Sequence, residues 1–213
     1  MVKDISDIRK DYIKFSINDL SLNTDPIQQF ETWFHNAQSS KVVEVNAMVL
    51  STVSKKGVPS GRVLLLKGVD KEGFTFFSNY NSSKGNDLEF NPNASLTFFW
   101  PELEQQIRIT GKVKKIDQAL SESYFHSRPR GSQISAAASD QSSKIDHRNV
   151  LVTEVERLEK EFEGKEIPKP ESWGGYLLEP TKIEFWQGRE SRLHDRFLYE
   201  FIDGNWQISR LAP

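Results

Sequence analysis

Cysteine does not occur in this chain of 213 residues. Its absence excludes disulfides, thiolate nucleophiles, iron–sulfur clusters and cysteine-based zinc sites together. Histidine is scarce as well. The four are His35, His126, His147 and His194, none in an HxH or HExxH arrangement, so no dedicated transition-metal site is expected. No apolar run approaches the roughly 18 residues a membrane helix needs, and the mean hydropathy is −0.57. The opening MVKDISDIRKDYIKF is interrupted by charge too often for a signal-peptide core, so a cytoplasmic protein is expected. A basic excess is also missing: 28 Lys and Arg against 30 Asp and Glu leave −2, which disfavours a nucleic-acid-binding surface.

What is present is an ordinary globular composition, 37% hydrophobic and 27% charged, in a length that fits one large domain. Thr24-Asp25-Pro26 supplies a cap and a first-turn proline, and Ile27, Phe30, Trp33, Phe34 and Ala37 then share one helical face. Strand-like runs follow at 47–53, 62–69, 74–78, 95–100 and 106–116, the last with its alternation slipped by a bulge near Gly111. Their short, turn-like links favour antiparallel hairpins over βαβ crossovers. A helical middle begins at Asp117 and includes an amphipathic helix through Leu151, Val155, Leu158 and Phe162 that stops near Gly164. Strand patterns return at 175–178, 182–187, 196–201 and 206–208, the last two joined by an Asp203-Gly204 turn. The pattern predicts a mostly antiparallel β-barrel with helices packed outside.

Four segments concentrate cations. In SRLHDRF, an extended backbone would set Arg192, His194 and Arg196 on one side, a repulsive row that an anion such as phosphate relieves. Trp186 and Gln187 just upstream suit a planar anionic ligand; the alternative is a solvated edge strand. In GRVLLLKG, Arg62 and Lys67 are five apart, so one site for both requires a bend, and taken alone the segment reads better as a buried strand with two snorkelling charged ends. SNYNSSKGND places Ser82, Ser83, Lys84 and Gly85 before a helix start, a phosphate cradle or an ordinary capped turn. YFHSRPRGS sets Tyr124, Arg128, Arg130 and Ser132 where Pro129 breaks a helix; a guanidinium fork matches phosphate, and a surface basic turn is the alternative. Together these segments point to phosphorylated small molecules.

GRVLLLKG, FNPNASLTFFW, YFHSRPRGSQI, QSS, IEFWQG, RLHDRF and the terminal SRLAP resemble, in order and spacing, the pyridoxine (pyridoxamine) 5′-phosphate oxidase family. The resemblance spans nearly the whole chain. It implies an FMN-binding split β-barrel that is mostly β with peripheral helices, a homodimer with FMN at its interface, and oxidation of pyridoxine 5′-phosphate and pyridoxamine 5′-phosphate by O2. It implies one domain over 1–213, with a flap segment in 1–22 and C-terminal strands in 175–213 completing barrel and active site. Carried over by position, it assigns the flavin to Arg62, Val63, Leu64, Leu65, Lys67, Phe77, Ser78, Lys84, Gln106, Gln141, Ser142, Trp186 and Arg196. Lys67, Tyr124, Arg128 and Ser132 would hold the vitamin phosphate. Arg192 and His194 would flank the pyridine ring as catalytic groups, with Leu193 between them, and Arg9, Lys10, Asp11 and Tyr12 would cover the substrate. Two departures stand out: Ser83 replaces a usually basic residue, and Phe77 a common tyrosine. A different split-barrel flavoprotein would not need RLHDR or SRPRGS, and a non-catalytic pyridoxal phosphate binder would not need the flavin set.

Overall fold

Asp25 caps the first helix, α1 (Pro26–Ser39), its carboxylate accepting from the Ile27 N–H at 2.8 Å, with Pro26 in the first turn. Ile27, Phe30, Trp33 and Ala37 are buried along it, while Phe34 is half-buried. The computed structural model describes residues 11–17 and 22–213. The elements that follow are β1 (Ala47–Val53), β2 (Pro59–Leu65), β3 (Gly68–Asp70), β4 (Gly73–Asn79), α2 (Ser83–Phe90), β5 (Asn93–Trp100) and β6 (Gln105–Lys115). Then come α3 (Gln118–Ser127), α4 (Arg130–Ala138), α5 (Arg148–Glu161), β7 (Trp173–Gln187), a 3-10 turn (Glu190–Arg192), β8 (Asp195–Ile202) and β9 (Asn205–Arg210). Strands are hydrogen-bonded in the order β2-β1-β5-β6-β7-β4-β3, with β8 on β7 and β9 on β8. None of the described helices is long and apolar enough to cross a membrane.

Several elements differ from the sequence expectation for physical reasons. The expected strand 62–69 is interrupted: β2 ends at Leu65 and β3 begins at Gly68, with Lys67 between them lining a cavity and Arg62 outside its lining. No bulge slips β6: Ile107, Ile109, Gly111 and Val113 alternate inward without interruption. Gly111 takes an inward place because a Cβ there would collide with the backbone carbonyl of Glu179. The runs at 175–178 and 182–187 are one strand, β7, which pairs antiparallel with β4 over its first half and with β8 over its second. α4 had no amphipathic signature, since Ile134 is its one buried residue.

The chain divides into two compact units of interleaved segments. One comprises Leu50–Ala94 and Gly111–Glu179. Within it Phe125, Ile134, Leu158, Ile167 and Trp173 form a buried cluster under α3, α4 and α5. Arg130 donates there to the carbonyls of Phe162 and Lys165, closing the C-terminal end of α5. The other comprises the described part of Met1–Val49 with Ser95–Thr110 and Pro180–Pro213. Its core is aromatic: Trp33 meets Phe185 edge-on at 5.2 Å, Phe30 meets Phe98 at 5.3 Å, and Phe185 meets Tyr199 at 5.5 Å.

Candidate active site

In the first unit, a cavity of about 380 Å³ is lined by Val63, Leu64, Leu65, Lys67, Phe77, Ser78, Tyr124, Arg128 and Gln141 among the expected residues. Asn79, Ala136, Ser139 and Trp173 complete it. The volume is that of a small-molecule site. β2 ends beside it, so Lys67 stands in the break before β3. α3 stops at Ser127 because Pro129 follows, and this delivers Arg128. Phe77, Tyr124 and Trp173 stack as three near-parallel rings, Phe77 lying 3.9 Å from Tyr124 and 5.4 Å from Trp173.

Two desolvated cations of this unit, Lys84 and Arg128, have no carboxylate partner among the described residues. Lys84 is 6% exposed, near the start of α2, whose cap is Ser82. Its Nζ donates to Ser82 Oγ at 3.0 Å and Gln141 Oε1 at 2.9 Å, both neutral. Burial first, then the nearby Arg62 charge, push the Lys84 ammonium down to about 8. Gln141 Oε1 also accepts from Ser78 Oγ at 3.2 Å, which draws three expected flavin contacts together. Arg62 is held by Leu50 O, Thr52 Oγ1 and Ser60 Oγ, and Thr52 in turn donates to Asp87. Burial lowers Arg62, with Asp87 acting in the opposite direction. Arg128 is also lowered by burial, and its Nη1 is buried with no hydrogen-bond partner. A buried donor without a partner is costly. Phosphate groups would satisfy both Lys84 and Arg128, so these residues fit a phosphorylated flavin and a phosphorylated substrate. Ser83 is exposed, Ser142 sits exposed in a left-handed turn (φ 78°), and Ser132 is half-buried on α4.

In the second unit, Trp186 of β7 is directly opposite Arg196 of β8. Tyr12 meets the Trp186 indole edge-on at 5.7 Å, and the His194 ring lies 4.6 Å from Trp186 and 6.0 Å from Tyr12. A Cβ on Gly188 would collide with the Tyr12 ring, so glycine there makes room for it. Arg9 and Lys10 lie outside the described residues, and Asp11 is exposed.

The extended backbone expected to set Arg192, His194 and Arg196 in a one-sided row does not form over 192–194. Ser191 and Arg192 both adopt left-handed backbone (φ 55° and 62°), and extended structure begins only at Asp195. Arg192 and Leu193 are exposed at the tip of this turn, whose base is tied by the Arg189 N–H donating to His194 Nδ1 at 3.1 Å. With Nδ1 accepting, neutral His194 carries its hydrogen on Nε2. Burial, then the Arg192 and Arg196 charges, lower its pKa and keep it neutral near pH 7. Arg196 already has partners, donating to Glu184 Oε1 at 2.8 Å and Ala212 O at 2.8 Å. Gln106 is half-buried on β6.

Sequence reasoning missed Glu184 and Asp195. Glu184 is 4% exposed and takes Arg108 as well as Arg196. A lone acid between Ile183 and Phe185 in IEFWQG was the available signal. Asp195 accepts from Arg189, Arg210 and the Ile17 N–H. Burial pushes its carboxyl up, but these hydrogen bonds and the Arg189 charge outweigh burial and leave it below its ordinary value.

Residues 35–161 match the family described as pyridoxamine 5′-phosphate oxidase, and residues 173–213 match the pyridoxine 5′-phosphate oxidase C-terminal dimerisation region. A pyridoxine/pyridoxamine 5′-phosphate oxidase of Cyanothece sp. is 49% identical over the whole of both chains. Its counterpart from Christiangramia forsetii is 51% identical, again over 100% of each. Among solved structures, PhzG of Burkholderia lata, crystallised with tetrahydrophenazine-1-carboxylic acid, superposes with a TM-score of 0.89 at 28% identity, covering 94% of this chain and 99% of that one. A pyridoxamine 5′-phosphate oxidase-related, FMN-binding protein of Nostoc punctiforme shares the fold, with a TM-score of 0.70 at 17% identity over 91% and 100% of the two chains. With the split-barrel fold and full-length identity near one half, this chain belongs to the pyridoxine/pyridoxamine 5′-phosphate oxidase family of oxidoreductases.

Proposed function

We propose that this protein is an FMN-dependent oxidase that converts pyridoxine 5′-phosphate and pyridoxamine 5′-phosphate to pyridoxal 5′-phosphate, acting as a homodimer. The carrying observation is the cavity that gathers Lys67, Tyr124 and a desolvated Arg128 with an unpartnered N–H. FMN, when bound, would supply a two-electron acceptor for the hydride leaving the substrate's C4′, with O2 as the final electron acceptor and H2O2 as the product. The alcohol yields the aldehyde directly; the amine needs one water and releases ammonia.

Lys84, with Arg62, Ser78 and Gln141 around it, holds the flavin phosphate, and Val63, Leu64, Leu65 and Phe77 supply apolar surface against the ring. Gln106, Ser142, Trp186 and Arg196 complete the flavin contacts. Lys67, Tyr124, Arg128 and Ser132 hold the vitamin phosphate, which fixes how deeply the substrate enters. Arg192 covers the substrate ring and offers charge to its phenolic oxygen, with Leu193 beside it. His194 acts through Nε2–H as a hydrogen-bond donor that orients the substrate, because Nδ1 is engaged by the Arg189 N–H. The N-terminal segment, here through Asp11 and Tyr12, closes over the substrate, with Arg9 and Lys10 assigned to the same role.

The test is anaerobic. FMN-loaded protein is mixed with pyridoxine 5′-phosphate, and visible absorption is followed before and after air is admitted. Bleaching, then recovery with pyridoxal 5′-phosphate and H2O2 formed in equal amounts, is the expected result. Ligand binding that leaves the flavin oxidised would refute the oxidase reading.

A further inference from the structure

We propose that Trp173 is a positioning residue: its indole face holds the Arg128 guanidinium so that the unpaired N–H of Arg128 meets the substrate phosphate. This rests on the assignment of Arg128 to the vitamin phosphate made above. The Arg128 guanidinium carbon lies 4.7 Å from the Trp173 ring centre and 5.9 Å from that of Phe125. No carboxylate among the described residues pairs with Arg128; the surrounding groups are these rings and Tyr124. An aromatic face attracts a guanidinium without neutralising it, whereas a carboxylate would occupy the N–H groups a phosphate needs. The cation is thus held in place with its charge and one buried donor still available.

Trp173 is suited to this task because it is itself fixed. It is 7% exposed, packed against Phe125, Ile134, Leu158 and Ile167, and its backbone N–H donates to Pro170 O at 3.0 Å as β7 begins. The same ring lies within 8° of parallel to Tyr124 and 15° to Phe77. One aromatic platform therefore orients both the guanidinium and the phenol expected at the phosphate. The cost of losing it should appear in the phosphate contribution to binding, not in the pyridine contribution.

The experiment uses FMN-loaded protein and follows flavin fluorescence on titration with pyridoxal 5′-phosphate and, separately, pyridoxal. Trp173→Leu should raise the Kd for the phosphorylated ligand about three- to thirtyfold, leave that for pyridoxal unchanged, and add nothing in an Arg128→Ala background. Trp173→Phe should restore most of the affinity. It also carries the measurement, with a rise of about threefold or less, should the leucine variant fail to fold. Equal weakening of both ligands, or the same loss with Arg128 already absent, would mean that Trp173 only supports the core and would overturn the proposal. Unchanged pyridoxal 5′-phosphate affinity in Arg128→Ala alone would instead overturn the assignment of Arg128, and this inference with it.

Discussion

Replacing Lys84 with methionine separates cofactor binding from folding, because the two should respond with opposite signs. Lys84 is 6% exposed and has only the neutral oxygens of Ser82 and Gln141 as partners. Holding a lysine that ordinarily titrates at 10.5 down to about 8 costs its charged form roughly 3 kcal/mol. Methionine removes that cost and forfeits two hydrogen bonds of about 1 kcal/mol each, for a net gain of about 1 kcal/mol. In a chain this long, that is an increase of roughly 2–4 °C in the Tm of the FMN-free protein. Ser82 Oγ keeps the Gly85 N–H, and Gln141 Oε1 keeps Ser78, so neither acceptor is stranded. The sign with pH follows from linkage. Below about 8 lysine is charged in both states and the folded chain bears the full penalty. Between about 8 and 10.5 only the unfolded chain stays protonated, so wild-type stability rises and the variant's advantage disappears. FMN affinity should fall roughly ten- to a hundredfold with the lost charge-assisted contact. Thermal unfolding of flavin-free protein at pH 7 and pH 10, with FMN titrations alongside, decides the matter. A variant that is less stable at pH 7, or equally displaced at both pH values, would refute the reasoning.

Three further outcomes are expected. Glu184→Gln keeps the side chain's shape but removes the charge shared by Arg108 and Arg196; urea unfolding should show a loss of about 1–3 kcal/mol, moderated because the Arg108 side chain is 54% exposed. Gly111→Ala drives a methyl into the Glu179 carbonyl, so calorimetry should report a destabilisation of about 1–3 kcal/mol; an unchanged Tm would mean that β6 and β7 separate there freely. Arg192→Ala should lower kcat at least about tenfold while the flavin bound per subunit, read by absorbance, is unchanged; equal losses in both would assign Arg192 a structural role.

Wherever a neighbour in the chain supplies the partner, the sequence was sufficient. Asp25 and Pro26 start α1, Ser82 caps α2, Asp117 caps α3 and Asp203-Gly204 turns β8 into β9, each through contacts within a few residues. The motif order also carried the family and the residues assigned to the cavity, because RVLLLK, YFHSRPR and QSS are contiguous strings. It did not carry conformation in RLHDR. There a left-handed pair at Ser191 and Arg192 replaces the alternation a strand would impose, and nothing in those side chains requires it. α4 was equally silent, since a helix with one buried residue leaves no hydrophobic period to read.

What the tertiary structure alone decided is which charges are neutralised and which are not. Arg196 and Lys84 are both cations flagged by the sequence. Yet Arg196 meets Glu184 from the neighbouring strand, while Lys84 meets only amide and hydroxyl oxygens. Arg130 and Arg128, two residues apart, diverge in the same way: one satisfies the carbonyls ending α5, the other rests on Trp173 with a donor unused. Local sequence sets backbone preference through steric and hydrogen-bond terms that act over a few residues. The electrostatic environment of these side chains is set by groups a dozen or more residues away, Glu184 for Arg196 and Gln141 for Lys84, and only folding brings those within a few ångströms.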